Sequence, residues 1–147
     1  MAIDKKKLFI SSVQSEFQEE RRTLVAYIRQ DAMLSRYFEP YIFEEPPAQN
    51  TSAQCAYLDE VASSDIYLGL YGELYGYEDA EGISPTEREY DDATQHNLYR
   101  IVLIKDVSER HVKEKALISK AEQDVVRNMF STYAELQERV YSALVRY

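Results

Sequence analysis

The fold of this chain is decided by the stretch Ile66-Tyr67-Leu68-Gly69-Leu70-Tyr71, in which neither face carries a charged residue. A strand that is apolar on both faces is typical of the centre of a parallel sheet, because helices cover such a sheet on each side. Ile101-Val102-Leu103-Ile104 repeats the pattern further along the chain. The two stretches therefore predict two central parallel strands.

Three further stretches read as strands. Residues Leu8 to Val13 form a short apolar run that ends in small polar residues, which predicts a buried first strand. Phe38 to Phe43 predicts a second strand, and Pro40 within it favours an edge position, because proline cannot donate to a ladder of hydrogen bonds. Val125 to Phe130 predicts a fifth strand near the C-terminus.

Helices are predicted between these strands. Ser15-Glu16-Phe17-Gln18 has the pattern of a capping box and would open a helix that runs to about Gln30. A short helix is expected from Ser52 to Ala62, and another that Ser84 opens. The last helix begins with a second capping box, Thr132-Tyr133-Ala134-Glu135.

This alternation predicts an α/β fold, a flavodoxin-like, doubly wound parallel sheet of about five strands in the order 2-1-3-4-5 with helices on both faces. A length of 147 residues suits one domain over residues 1–147, either a whole protein or the N-terminal domain of a longer one. Ligands of such sheets bind beyond the carboxyl ends of the strands, here between the first and third strands. The rule nominates Ser11 and Ser12 as ligand-binding residues.

Composition excludes several classes of function. The net charge is −9, and residues 31–99 carry only Arg36 and Arg88 against fifteen acids. Nucleic acid is repelled by such a surface, so direct binding to DNA or RNA is not expected. No apolar run is long enough to span a membrane. A single cysteine, Cys55, allows no internal disulfide, and we expect a cytoplasmic protein.

The connection after the third strand, Tyr71-Gly72-Glu73-Leu74-Tyr75-Gly76-Tyr77, combines two glycines with three tyrosines. Glycine lets the backbone approach a ligand closely, and tyrosine can stack on a base. The segment makes Tyr71 and Gly72 candidate ligand-binding residues. Since the chain contains 13 tyrosines and no tryptophan, the alternative is that tyrosine serves here as ordinary amphipathic filler.

The segment Ser84-Pro85-Thr86-Glu87-Arg88-Glu89 carries the functional hypothesis. Ser84 at the cap, Pro85 at the first helical position and Glu87 at the third are typical of a helix start, which assigns Glu87 a structural role. Glu89 has no capping role, and a carboxylate one turn into this helix would face the ligand site. Such a group can stabilise or covalently trap an oxocarbenium-like ribosyl carbon. The alternative is a solvent-facing or ion-paired glutamate.

The chain also resembles a known family. Leu8 to Val13, the Glu-Glu-Arg-Arg at 19–22, Asp65 to Leu70, Tyr75-Gly76 and Ser84 to Glu89 are together similar to a bacterial family of uncharacterised domains, itself related to TIR domains and nucleoside deoxyribosyltransferases. Members often stand at the N-terminus of longer proteins described as transcriptional regulators or helicase-like ATP-binding proteins. The resemblance implies a TIR-like domain.

The resemblance also implies roles for particular residues. TIR domains and the transferases place a catalytic glutamate four residues before a small residue on the helix after the third strand, and Glu89 with Ala93 matches this spacing. Ser84 or Thr86 matches the hydroxyl residue that precedes the glutamate. Residues 44–54 occupy the place of the loop that gates the site in TIR domains. The Trp-Cys pair that many TIR domains carry before the glutamate is absent.

Two functions stay open. The first is cleavage or transfer of an N-glycosidic bond in NAD or a nucleoside, with Glu89 at the ribosyl carbon and no bound cofactor. The second is a module without chemistry, a sensor that forms homo-oligomers or relays a signal to a C-terminal effector domain. A metal site built from Glu78, Asp79 and Glu81 is a third idea, for which ordinary exposed loop acids are the alternative.

Overall fold

The chain forms one five-stranded parallel sheet. The structure, a computed structural model, describes residues 4–42, 58–121 and 126–147. The strand order is β2-β1-β3-β4-β5, which confirms the order 2-1-3-4-5 predicted from the sequence. The strands are β1 (Lys6–Ser12), β2 (Phe38–Ile42), β3 (Ile66–Tyr71), β4 (Tyr99–Lys105) and β5 (Val126–Phe130).

Helices connect the strands. They are α1 (Gln14–Gln30), α2 (Leu34–Tyr37), α3 (Pro85–Gln95), α4 (Val112–Lys120) and α5 (Tyr133–Arg146). Residues 58–62 are also helical, in agreement with the end of the helix predicted for Ser52 to Ala62. The earlier part of that helix, Cys55 and the loop 44–54 lie outside the described residues.

Each face of the sheet carries its own hydrophobic core. Alternate residues of β3 supply both cores, because successive side chains of a strand point to opposite faces. Ile66, Leu68 and Leu70 pack in the core that α1 and α5 cover. Tyr67 and Tyr71 pack in the core that α3 and α4 cover. The apolar character of β3 on both faces is thus explained by helices on both sides.

The edge position of β2 agrees with its proline. Strand β2 pairs only with β1 in the described sheet, and Pro40 lies opposite Leu8 in their register. A proline at this position leaves the other strands with complete ladders. The sequence prediction of an edge strand is confirmed.

The start of α1 differs from its prediction, whereas that of α5 does not. Helix α1 begins at Gln14, and its cap residue is Val13, so the capping box expected at Ser15 is wrong. The carboxylate of Glu16 accepts hydrogen bonds from the amides of Glu73 (2.7 Å) and Leu74 (3.0 Å), which join the start of α1 to the segment after β3. The capping box at the start of α5 is present as predicted.

The described helices give no sign of a membrane span. Within residues 4–42, 58–121 and 126–147, no helix combines the length and the apolar character that a crossing would require.

Gly69 lies where the packing is tightest. A Cβ atom at this position would lie 2.9 Å from ring carbons of both Tyr67 and Tyr71. The two rings converge above the glycine, and their hydroxyls share a buried hydrogen bond of 2.8 Å. The missing side chain therefore allows the tyrosine pair to form.

We expect Gly69→Ala to destabilise the chain by about 1–3 kcal/mol, because an added methyl group forces two fully buried rings apart. Chemical denaturation measures the free energy of unfolding. Ser108→Ala, at an exposed position, serves as the control and should change it by less than about 0.5 kcal/mol. Equal stability of Gly69→Ala and wild type would show that the tyrosine pair can shift without cost.

Candidate functional site

A cavity opens beside the carboxyl end of β1, at the place where a doubly wound sheet binds its ligands. Its volume is about 330 Å³, within the range usual for small-molecule sites. The walls come from the end of β1 and the start of α1, from the segment 75–77, and from the first turns of α3. The lining residues are Ser12, Val13, Gln14, Ser15, Arg21, Tyr75, Gly76, Tyr77, Pro85, Thr86 and Glu89.

Glu89 is the acid of this cavity. Its side chain projects from α3 and is only 7% exposed. The hydroxyl of Ser11 donates a buried hydrogen bond of 2.8 Å to Oε1 of Glu89. Ala93, one turn later, is fully buried in the core between α3 and the sheet, as its small size predicts. The carboxylate is therefore held at the carboxyl end of β1 rather than directed into bulk solvent.

The start of α3 is fixed by its predicted cap and by an unexpected tyrosine. The hydroxyl of Ser84 accepts a hydrogen bond from the amide of Glu87 (3.2 Å), and Pro85 opens the helix. The hydroxyl of Tyr75 accepts from the amide of Ser84 (3.2 Å) and donates to the carboxylate of Glu87 (2.6 Å). Tyr75 thus joins the cavity wall to the helix that carries Glu89.

A buried pair of tyrosines lies behind Ser11. Ser11 pairs with Gly69 in the register of β1 and β3, and Tyr67 and Tyr71 meet above that glycine. Burial raises the pKa of Tyr67, and hydrogen bonds with Ser11 and Tyr71 oppose the rise. The Tyr67 phenol therefore stays protonated and is able to support the hydroxyl that holds Glu89.

Arg21 is the residue that the sequence did not reveal as part of the site. It projects from α1 into the cavity and is only 4% exposed. A signal was present, because Arg21 lies on the same helical stripe as the buried residues Phe17, Leu24 and Ile28. A charged residue in the middle of an apolar stripe is a reason to look for a partner or a ligand.

Arg88, the base nearest to Glu89 in sequence, is engaged elsewhere. Its guanidinium contacts Asp79 (2.8 Å) and Glu81 (3.2 Å). The hydrogen bond to Asp79 raises the pKa of Arg88, and Glu81 contributes in the same direction. The basic group at the cavity comes instead from a helix far away along the chain.

The cavity is also less acidic than the sequence suggests. Of the fifteen acids in residues 31–99, Glu89 alone lines it within the described part of the chain. The three acids considered as a metal site make ion pairs, since Glu78 contacts Lys113 while Asp79 and Glu81 contact Arg88. No group of three potential metal ligands occurs among the described residues.

The structure brings some of the predicted site residues together and separates others. Ser12, Thr86 and Glu89 line the cavity, and Ser11 contacts Glu89. Ser84 is buried beneath the wall as the cap of α3. Tyr71 is buried in the core, and Gly72 packs against the carboxyl group of Glu16, so neither lines the described cavity. Whether any of these residues binds a ligand stays a prediction.

Comparison with known proteins shows the family. The model of the family described as domain of unknown function (DUF4062) matches residues 7–145. The chain belongs to this family. A search of the curated proteins finds no match.

Solved structures share the fold. The CMP N-glycosidase BcmB of Clostridium botulinum superposes with a TM-score of 0.59 at 11% identity, over 94% of this chain and 99% of that one. The translation elongation factor SelB of Methanococcus maripaludis, in its apo form, superposes with a TM-score of 0.57 at 14% identity, over 98% of this chain and 34% of that one. At these identities the likeness concerns the α/β fold.

Glu114 is a buried acid that does not line the described cavity. It projects from α4 and is 1% exposed. Burial raises the pKa of Glu114 from 4.5 to about 8, and the nearby carboxylate of Glu16 adds to the rise, while the amide of Gly72 and the charge of Arg110 oppose it. Glu114 is therefore mostly protonated at neutral pH.

We expect Glu114 to make stability fall as the pH rises from 4.5 to about 8. In this range the folded chain keeps a proton that the unfolded chain has released, so the slope of stability against pH is negative. Glu114→Gln mimics the protonated form and should remove a loss on the order of 1–4 kcal/mol between pH 5 and pH 8. Urea denaturation at several pH values measures the slope.

Glu109→Gln, at an exposed position on the preceding loop, is the matched control and should keep the wild-type slope. An unchanged slope in Glu114→Gln would mean that Glu114 is ionised in the folded chain.

Proposed function

We propose that this chain cleaves the N-glycosidic bond of a nucleoside or nucleotide, with Glu89 acting at the ribosyl carbon. One observation carries the proposal. Glu89 is a buried carboxylate in a cavity at the carboxyl end of a doubly wound sheet, and a dedicated hydroxyl from β1 orients it.

The main group that this reaction requires from the protein is a carboxylate at the ribosyl carbon. As the bond between C1′ and the base nitrogen breaks, its electron pair leaves with the base, which takes up a proton, and positive charge develops at C1′. The Glu89 carboxylate stabilises this charge or forms an ester with C1′, as carboxylates do in glycoside hydrolysis. Water then attacks C1′, releases the sugar and restores Glu89. The net reaction consumes one water and yields a free base and a free sugar.

The hydrogen bond from Ser11 fits this role. It orients the carboxylate and stabilises its ionised form, because an ionised carboxylate only accepts hydrogen bonds. The ionised form is the one that the developing charge at C1′ requires. Tyr67 and Tyr71, which lie behind Ser11, are both fully buried.

Relatives by fold support the choice of reaction. BcmB is described as a CMP N-glycosidase, and nearly all of this chain superposes on it. The resemblance to TIR domains and nucleoside deoxyribosyltransferases, noted from the sequence, implies the same class of bond. Fold alone does not fix function, so the reaction has to be tested at Glu89 itself.

We expect Glu89→Gln to reduce turnover by at least about 1000-fold, because the amide keeps the shape of the side chain but cannot balance positive charge at C1′. The assay measures release of free base from common nucleosides, from their 5′-monophosphates and from NAD, at high protein concentration.

Asp91→Asn is the matched control on the same helix, because it also exchanges an acid for an amide and its side chain is outside the cavity, paired with Lys120. Turnover by Glu89→Gln at the wild-type rate would contradict the proposal. A folded wild-type chain that turns over none of these compounds would favour the alternative, a module that senses or oligomerises without chemistry.

We further expect Ser11→Ala to lower kcat by about 10–100-fold, since it removes one hydrogen bond from a charged group and leaves the carboxylate in place. The same assay reports it, and circular dichroism confirms that the variant folds. A kcat equal to that of wild type would mean that the cavity wall alone orients Glu89.

A further inference from the structure

The cavity holds a second buried charge besides Glu89. Arg21 lines the same cavity and is only 4% exposed. A buried guanidinium is unfavourable unless anionic groups balance its charge. Glu89 supplies one negative charge within the cavity. The reaction described above uses that carboxylate at C1′ and gives Arg21 no task.

Ser12 adds a second polar group to the same wall. It is 8% exposed and lines the cavity. Within the part of the chain that the structure describes, its hydroxyl has no hydrogen-bond partner. A buried hydroxyl without a partner is unfavourable, and a bound ligand that accepts its hydrogen bond removes this penalty. Ser12 is adjacent in sequence to Ser11, which already serves Glu89.

The two groups share a chemical preference. Arginine binds phosphate through paired N–H donors, and a hydroxyl donates to a phosphate oxygen. Apart from Arg21 and Glu89, the lining residues of this cavity carry no formal charge. The cavity therefore combines a carboxylate suited to a ribosyl carbon with a cation and a donor suited to an anion.

We propose that the cavity recognises a phosphate on the 5′ carbon of the ribosyl group that is cleaved, through Arg21 and Ser12. This inference rests on the proposed function and deepens it, because it names the substrate class as a 5′-phosphorylated nucleoside rather than a free nucleoside. Both a nucleoside 5′-monophosphate and NAD contain this group. The cavity volume of about 330 Å³, near the lower end of the range for ligand sites, favours the monophosphate.

The experiment measures binding to the Glu89→Gln variant, in which turnover does not interfere. Calorimetric titration compares cytidine, uridine, adenosine and guanosine with their 5′-monophosphates, and includes NAD. We expect at least one monophosphate to bind about 10–100-fold more tightly than its nucleoside. Arg21→Met, added to Glu89→Gln, should abolish this preference while leaving the affinity for the nucleoside within about threefold. Ser12→Ala should reduce the preference by about 5–10-fold.

Two further variants separate recognition from folding. Arg21→Lys keeps the positive charge and should retain part of the preference for the monophosphate, because lysine binds phosphate as a point charge. Arg36→Met removes a base at an exposed position outside the cavity and should leave the preference intact. Thermal unfolding checks that each variant is folded.

Several outcomes would overturn the inference. Equal affinity for nucleosides and monophosphates would do so, and so would an Arg21→Met variant that loses affinity for both alike, since Arg21 would then only balance Glu89. The inference would also be contradicted if none of the phosphate-bearing compounds bound to the folded chain. Tighter binding of NAD than of any monophosphate would support the phosphate contact and would identify NAD as the preferred ligand.

Failure here and failure of the proposed function are distinguishable. Turnover without a preference for phosphorylated compounds would support the glycosidic reaction and contradict the phosphate site. If a monophosphate binds in a way that depends on Arg21 but the chain shows no turnover, the phosphate site would be supported and the proposed reaction contradicted.

Discussion

The pairing of Ser11 with Gly69 across β1 and β3 is the constraint on which the site depends. At Gly69 the absent side chain gives Tyr67 and Tyr71 the room to meet. On the neighbouring strand, the Ser11 hydroxyl reaches the carboxylate of Glu89. A larger residue at 69 would push the rings toward α3 and disturb the helix that carries the acid. The pairing of Ser11 with Gly69 therefore affects both the packing of Tyr67 and Tyr71 and the orientation of Glu89.

The parts of the fold that could be predicted are those coded locally. Apolar residues on both faces place β3 in the centre of the sheet, and Pro40 places β2 at its edge. The serine, proline and glutamate at 84, 85 and 87 specify the start of α3 because a helix needs partners for its first amides. These signals work because the residues that interact are close together in sequence.

The parts that could not be predicted arise from contacts between distant segments. Arg21 lines the cavity because α1 begins beside the end of β1. The residues that neighbour Glu89 in sequence give no indication of this arginine. The hydrogen bonds that Glu16 accepts from the amides of Glu73 and Leu74 join segments more than fifty residues apart, and no local pattern in the sequence indicates them. The acidic middle of the chain has a similar explanation, since Lys113 and Lys120 of α4 pair with Glu78, Glu87 and Asp91. Three of the fifteen acids in residues 31–99 thus join α4 to α3 and to the loop before it.

The hydrogen bonds of Tyr75 have a consequence for how this site can diversify. One hydroxyl joins the wall of the cavity to both the cap and the third residue of α3, the helix that carries Glu89. A substitution at Tyr75 that reshapes the wall also moves the helix of Glu89. Tyr77 lines the same cavity but is 58% exposed at its rim. Position 75 therefore combines two roles, the shape of the wall and the placement of the helix that carries Glu89, whereas position 77 contributes to the rim of the same cavity.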